Sequence, residues 1–409
     1  MTARIKVKWL SIQRKTIDPL DMPDGDLELW SIPDFDNGSP SITNRQSIGS
    51  SKKVVFPGDV LLSKIVPHIR RAWIVRESNL PQYASTEWLT FHSSKVRPDF
   101  LRYALLTDEF NRQMQLNSNG MGSLKRADPE KVGEQQINLP TIRKQKIIAD
   151  FLDKRLVAID AVLHQKSEQL KKLSSYRQSL ITRAVTKGLD HNVEMKASGV
   201  QWIGNMPSHW RICRVKNLFS VVCGATPSPN PQYWNGNINW IGPSDMDEIG
   251  DVSSGKRSIT REGYESCGTT LVPQGSLVLS TRAPVGKVNI AKGELCTNQG
   301  CKSLVPLGSK NYTKYYYFVL QAAKDQLIQD SSGTTFLELS TSALSDELLP
   351  LPSLDEQKRI VSFLEKIDEM VLELKVKLSD SIRLLNEYRS SLISAAVTGQ
   401  LAIDEEASA

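Results

Sequence analysis

Residues 139–190 occur twice in this chain. The second copy follows at a constant displacement of 212 positions, from Gln145 to Gln357 and from Tyr176 to Tyr388. Leu139-Pro140, Gln145-Lys146-Ile147-Ile148 and Phe151-Leu152 return as Leu351-Pro352, Gln357-Lys358-Arg359-Ile360 and Phe363-Leu364. Tyr176-Arg177-Gln178-Ser179-Leu180-Ile181 and Ala184-Val185-Thr186 return as Tyr388-Arg389-Ser390-Ser391-Leu392-Ile393 and Ala396-Val397-Thr398. A copy free of insertions marks one rigid element whose length matters, and an internal repeat governs the reading of everything around it.

Hydrophobic spacing identifies that element as a long helix. The second copy places Ile360, Leu364, Ile367, Val371, Leu374, Leu378, Leu385 and Leu392 along a seam with alternating steps of four and three. This is coiled-coil spacing rather than the wider stripe of a surface helix. The first copy carries Ile148, Leu152, Ile159, Val162, Leu173 and Leu180, with Arg155 and Lys166 as polar breaks. Ser353 is the expected N-cap of the second helix with Glu356 as reciprocal partner; Thr141 caps the first, with Lys144 where Glu would serve better. Gly188 and Gly399 stand where each helix should stop. Roughly 40 helical residues at ~1.5 Å rise make a rod of about 60 Å.

A fainter repeat links the segments ahead of the rods. Gly38-Ser39-Pro40-Ser41-Ile42-Thr43 corresponds to Gly255-Lys256-Arg257-Ser258-Ile259-Thr260, and Gly58-Asp59-Val60-Leu61-Leu62-Ser63 to Gly275-Ser276-Leu277-Val278-Leu279-Ser280, both displaced by 217. Trp30-Ser31-Ile32-Pro33 resembles Trp240-Ile241-Gly242-Pro243. The chain thus divides into a globule (1–138), a rod (139–190), a linker with a second globule (191–350), and a second rod with a tail (351–409). Short aliphatic runs punctuated by Pro-Gly and Gln-Gly predict mainly-β globules. Each closes with a helix, near 100–116 and 312–328, followed by a glycine-bearing loop at Asn119-Gly120-Met121-Gly122 and Ser331-Ser332-Gly333-Thr334. The fold class expected is α+β: two related mainly-β domains separated by two long helices that pair as an antiparallel coiled coil with pseudo-twofold symmetry. Such a caliper suits duplex DNA, which presents two half-sites about one turn (~34 Å) apart in successive major grooves. A two-headed protein scaffold would share the symmetry.

Composition narrows the class further. The chain has 409 residues, too many for one core. Its net charge of +6 permits a nucleic-acid partner without demanding one. No apolar run reaches the ~20 residues that span a bilayer. Cys213, Cys223, Cys267, Cys296 and Cys301 form no C-x-x-C pair, which fits a reducing cytoplasm. The N-terminus has no apolar secretion core.

Residues for catalysis are missing from the pattern. Asn230-Pro231-Gln232-Tyr233 is the nearest approach to a base-flipping methyltransferase tetrapeptide, but it has Gln where the second Pro belongs and no glycine-rich cofactor loop upstream. Gly286-Lys287-Val288 lacks the upstream glycine and the hydroxyl of a phosphate loop. Histidines are scattered without metal-ligand spacing. The chain reads as a binder, and a self-sufficient methyltransferase is the weakest alternative.

The whole chain resembles the DNA-specificity subunit of type I restriction–modification systems. The resemblance rests on Leu-Pro-x-x-x-x-Gln-Lys at Leu139 and Leu351, on the repeated Tyr-Arg-x-Ser-Leu-Ile and Ala-Val-Thr, and on Gln201-Trp202-Ile203-Gly204-Asn205-Met206-Pro207-Ser208-His209-Trp210 opening the second globule. It implies two target-recognition domains, each reading half of a split sequence. It also implies helices that carry two methyltransferase (modification) subunits, with restriction/translocase subunits in the full complex. S-adenosylmethionine, ATP and Mg belong to those partners, so no cofactor or metal is expected on this chain, and the setting is cytoplasmic without a membrane. The first globule departs from the pattern: Lys8-Trp9-Leu10 is at most a remnant of the Trp-Ile-Gly opening, and 18–36 is acid-rich.

Base edges are read by forked donors and amides, while Lys and Arg on phosphates supply affinity. In the first globule the DNA-facing candidates are Lys52, Lys53, Ser63, Lys64, Arg70, Arg71, Lys125 and Arg126. In the second they are Thr281, Arg282, Lys287, Gln299 and Lys302. The matched pairs Ser63-Lys64 and Ser280-Thr281, each just after a strand, are the favoured groove-facing loops. The rival expectation is a coiled-coil scaffold that bridges two protein partners with no sequence preference on DNA.

Overall fold

In the computed structural model, residues 3–122, 125–248, 250–308, 311–332 and 337–403 are described; Gly333 and Thr334 of the second glycine-bearing loop lie outside them. The duplicated segments are continuous helices, Ile142–Lys187 and Leu354–Thr398. Both end at a glycine in the left-handed region, Gly188 at φ +72° and Gly399 at +79°, where a β-carbon would be strained. Thr141 Oγ1 accepts from the Lys144 N–H, and Ser353 Oγ from the Glu356 N–H, each at 3.3 Å. The reciprocal half of the Ser353 cap is altered: the Glu356 carboxylate accepts from the Trp210 indole N–H at 3.1 Å and lies 3.1 Å from His209 Nε2.

The seam keeps its steps of four and three, yet its membership differs from the expectation. Ile148, Leu152, Ile360, Leu364 and Val371 are buried, while Val162 and Leu374 are 40% and 45% exposed. Leu156 and Leu163 in the first helix, and Lys375 and Ile382 in the second, hold the register instead. A rigid helix cannot rotate locally to favour the nearest apolar residue, so a polar side chain falls on the seam where the period places it.

Two compact units form, one of residues 1–168 with 378–409 and the other of 169–377, so each globule is joined by half of each long helix. The pairing is antiparallel within each. In the first unit, Lys144 Nζ donates to the Ile403 carbonyl at 2.6 Å and Arg389 Nε to Asp160 Oδ1 at 2.8 Å. In the second, buried Arg177 holds both oxygens of Asp368 at 2.7 and 2.9 Å and reaches Gln321 Oε1 at 3.2 Å.

In the first unit, Ala3–Lys6 pairs with Gln136–Leu139. A three-stranded antiparallel sheet ordered Ala72–Ile74, Val60–Ser63, Trp88–Phe91 accompanies a five-stranded sheet ordered Thr16–Ile17, Lys52–Val54, Gln82–Ser85, Asp26–Trp30, Ser41–Asn44. The second unit repeats the plan. Arg211–Arg214 pairs with Leu348–Leu351. Leu277–Ser280 sits between Cys301–Pro306 and Val288–Ala291, and Trp234–Ile241 lies between Arg257–Ile259 and Cys296–Thr297. Gly58 and Gly275, both at φ +85°, make the same turn into Val60–Ser63 and Leu277–Ser280, each held between two antiparallel neighbours, which explains the repeated Gly-x-aliphatic signature.

The strand pairings also correct one reading. Val7 donates its N–H to the Gln135 carbonyl as Val215 does to Glu347, so Lys8-Trp9-Leu10 is the counterpart of Lys216-Asn217-Leu218 and no remnant of Trp-Ile-Gly. Each closing helix is in fact two, Pro98–Ala104 with Asp108–Leu116, and Thr313–Ala322 with Lys324–Gln329. In the first pair Asn111 Nδ2 donates to the Leu105 and Thr107 carbonyls at 3.0 Å, taking up the backbone groups freed at the break.

The repeated glutamine of the rod signature has a structural reason. Gln145 and Gln357 are fully buried. Gln145 Oε1 accepts from the Arg97 N–H at 2.8 Å and its Nε2 donates to the Pro140 carbonyl at 2.9 Å. Gln357 does the same with the Tyr312 N–H at 2.9 Å and the Pro352 carbonyl at 3.1 Å. Each amide fastens a long helix to the closing helices of its own globule.

Candidate nucleic-acid interface

Five of the thirteen DNA-facing candidates lie in the interior, and this corrects the expectation for them. Lys52 is buried and its Nζ donates to the Ser50 carbonyl and Oγ at 2.7 and 2.8 Å. Ser63 donates to the Ile65 carbonyl at 3.1 Å. Arg71 is 8% exposed and grips both oxygens of Asp36 at 2.8 Å, which holds that carboxyl below its usual range. Thr281 is fully buried. Lys302, 3% exposed, donates to the Leu339 carbonyl at 2.7 Å and to Thr281 Oγ1 at 3.3 Å. Lys52, Ser63 and Lys302 lie within strands, and Arg71 and Thr281 directly beside one; alternate side chains there point inward, and a buried donor must be paired at home.

Of the remaining candidates, Lys53, Lys64, Lys125 and Arg126 gather on one surface of the first unit, and Arg282 stands at the matched place in the second. In the first unit, the loop after Val60–Ser63 is tied to the segment after the glycine-bearing loop, with the Val66 N–H donating to the Lys125 carbonyl at 2.8 Å and Ala127 N–H to Lys64 at 2.7 Å. This brings Lys64 and Arg126 onto Glu87, Arg126 through two contacts of 3.2 and 3.3 Å and Lys64 at 3.8 Å. Lys53 lies near enough to Lys64 to feel its charge, although burial is the larger cause of its lowered pKa; its Nζ donates to the Trp88 carbonyl at 2.7 Å. Lys125 is half-buried in the same segment. Arg70 stands apart, paired with Asp108 at 2.6 Å beside a cleft lined by His68, Arg383 and Arg389.

In the second unit the same backbone tie joins Thr281 to Leu339 at 3.0 Å. Arg282 meets Glu338 at 2.9 Å, and Lys302 lies 3.7 Å from the same carboxylate. The position that holds Arg126 in the first unit, bridged to Ile65, holds Glu338 in the second, bridged to Arg282. The first loop therefore carries basic charge where the second carries acid. Lys287 is turned away, its Nζ donating to the Met246 carbonyl at 2.7 Å. Gln299 is exposed and its Oε1 accepts from the Thr226 hydroxyl.

Sequence reading passed over one exposed strip. On the strand Trp234–Ile241, exposed Asn235 and Asn237 alternate with a face that buries Trp234 and Trp240. Exposed Arg257 of the neighbouring strand lies 3.3 Å from the Trp234 ring centre. The alternation Trp-Asn-Gly-Asn-Ile-Asn-Trp was the available signal. Asparagine amides match adenine edges, and a strand pair can enter a major groove.

Among the described residues no group of His, Cys, Asp and Glu is placed to hold a metal ion, and no helix is long and apolar enough to cross a membrane.

Comparison with known proteins places this geometry. The model of the type I restriction modification DNA specificity domain matches residues 12–172 and 207–384. The type I restriction enzyme MjaIX specificity subunit of Methanocaldococcus jannaschii is 36% identical over 173 residues, covering 41% of this chain and 40% of that subunit. The HindI specificity subunit of Haemophilus influenzae is 23% identical over 417 residues, covering 86% of this chain and 88% of its own length. A chain from a solved structure on complex assembly and conformational transition of the type I R-M system shares the fold at a TM-score of 0.73, with 21% identity and 98% of each chain covered. With two matched domains, two matched helices and a family model spanning most of the sequence, the chain belongs to the type I restriction–modification DNA specificity family.

Proposed function

We propose that this chain is the non-catalytic subunit that reads a bipartite duplex DNA target, one half-site per globule, and docks two methyltransferase subunits, and restriction subunits in the full complex. The observation that carries the reading is the double duplication, in which two globules of one plan are each bound to halves of two long, insertion-free helices. Lys53, Lys64, Lys125 and Arg126 of the first unit, with Arg282, Gln299 and the Asn235–Asn237 strip of the second, are the contacts proposed for DNA. Tyr176 and Tyr388 occupy matched positions of the repeat and are 61% and 57% exposed. With Met370, Leu372 and Val376 they give the helices outward apolar groups suited to protein partners. S-adenosylmethionine, ATP and Mg would then act on those partners.

The test is to purify the chain with its modification subunit and map methylated adenines across a genome. A split motif with a fixed gap is expected, and exchanging one globule should change one half alone. If both half-sites persist after the exchange, the reading is wrong.

A further inference from the structure

We infer that Arg126 of the first unit and Arg282 of the second each read a guanine, aimed by a glutamate, so that both half-sites of the target contain a G·C pair. The inference rests on the DNA-reading assignment and adds to it the base and the residue. At one corner of each unit three chain segments meet. They are the loop leaving Val60–Ser63 or Leu277–Ser280, the opening of the strand beside it, Trp88–Phe91 or Cys301–Pro306, and the segment that returns after the glycine-bearing loop. The same backbone bonds tie them. The Lys64 N–H donates to the Glu87 carbonyl at 3.1 Å as Thr281 does to Gly300 at 2.8 Å, and the Ala127 N–H to Lys64 at 2.7 Å as Leu339 does to Thr281 at 3.0 Å.

Each corner holds a lysine, a glutamate and an arginine, but the segments supply them in a different order. In the first unit they are Lys64, Glu87 and Arg126; in the second, Arg282, Lys302 and Glu338. Both glutamates stand between the two cations, with the lysine ammonium 3.8 or 3.7 Å away. Arg126 turns its Nε and Nη2 to Glu87 at 3.3 and 3.2 Å, and Arg282 turns the same two nitrogens to Glu338 at 3.0 and 2.9 Å. The same group built from non-equivalent positions belongs to the place in the fold, and not to residues copied with the repeat. Ion pairs on half-exposed side chains contribute little to stability, so a clasp does not explain it. Nor does phosphate affinity, because the glutamate cancels the charge of one of its two cations.

What the glutamate supplies is aim. With Nε and one Nη2 hydrogen engaged, the guanidinium plane is held, and Nη1 with the other Nη2 hydrogen makes a second donor pair on an exposed edge. Such a pair matches O6 and N7 of guanine in the major groove, a double acceptor that no other base presents there. A phosphate or a carboxylate at that edge would meet the negative charge of the glutamate, whereas the neutral guanine edge does not. Each arginine still brings its charge to the duplex, so its loss lowers salt dependence as well as selectivity. Glu87 and Glu338 are positioning residues.

The experiment uses the full chain with its modification subunit. Methylated adenines mapped across a genome define the two half-sites, and duplexes then carry 7-deazaguanine, which lacks N7, at each guanine in turn. One guanine in each half should respond, its replacement weakening binding by roughly fivefold or more. Arg126→Ala should relax that position in one half and Arg282→Ala in the other, each lowering discrimination by about 5–150-fold with the remaining positions unchanged. Arg126→Lys and Arg282→Lys keep the charge, lose the fork, and should relax the same positions. Glu87→Gln and Glu338→Gln should loosen them without weakening overall binding, which a merely structural role would not do. A half-site without guanine, indifference of every guanine to 7-deaza replacement, or a lysine variant with full selectivity would overturn this inference and leave the DNA-reading assignment standing. So would arginine variants that shed modification subunits with selectivity intact. The absence of any split motif would overturn both. The 7-deazaguanine series uses the unaltered chain and decides the matter even where a variant fails to fold.

Discussion

Replacing Gln145 by Leu keeps the volume of a fully buried side chain and removes its amide's bonds, the two short ones and a longer one to the Lys95 carbonyl at 3.4 Å. The Arg97 N–H loses an acceptor at 2.8 Å and the Pro140 carbonyl loses a donor at 2.9 Å, in a place water does not reach. A buried polar group left unpaired costs about 1–3 kcal/mol, so the two together should cost about 2–6 kcal/mol. For a unit of this size a loss of 1 kcal/mol lowers Tm by about 2–4 °C, which puts the fall at about 4–24 °C. Thermal unfolding and hydrogen exchange at the Arg97 amide read the effect at two levels, global and local. Gln357→Leu should produce the same local loss at the Tyr312 amide, whose 2.9 Å bond it removes. Lys146→Leu, on the exposed neighbour, is the control. If Gln145→Leu changes stability by less than about 0.5 kcal/mol, as surface substitutions do, the amide is not the fastener argued for.

Three further outcomes are expected. Burial first, and the neighbouring Asp330 next, push the Glu347 carboxyl up to about 7. The folded state then holds a proton that the unfolded state releases near the ordinary value of 4.5, so stability should fall as pH rises from about 4.5 to 7 and level off above; Glu347→Gln should flatten that slope in pH-dependent denaturation. Arg126→Ala should reduce the slope of log affinity for DNA against log salt by about one, whereas Glu87→Gln, which frees Lys64 and Arg126, should raise affinity at low salt; unchanged slopes in both would remove this cluster from the interface. Tyr176→Ala with Tyr388→Ala should lower the number of modification subunits retained in size-exclusion light scattering from two towards none while leaving Tm within about 1 °C, since both rings are exposed.

How much of this was legible beforehand differs from element to element. The gapless repeat gave both helices nearly to the residue, because a 3.5-residue period over more than six heptads leaves one register. It misassigned Val162 and Leu374, since polar residues such as Lys375 hold seam positions that hydrophobicity cannot flag. Of the candidate contacts, Arg71 and Lys302 were drawn from their basic character and Ser63 and Thr281 from their matched places just after a strand, and neither signal says which way a strand-end side chain points. Arg71 looked like a phosphate ligand until Asp36, 35 positions upstream in an acid-rich segment, turned out to be its partner.

Sequence alone determined the duplication, the helical nature and length of the repeated element, and the membership of a DNA-specificity family, because each is written in local spacing and copied motifs. Tertiary structure alone decided which charges face outward, why the repeated glutamines are retained in the fold, and that Arg126 and Glu338 give matched loops opposite sign. Those properties depend on contacts between residues far apart in the chain, such as Gln145 with Arg97 and Glu87 with Arg126, and no local pattern encodes a partner at that distance.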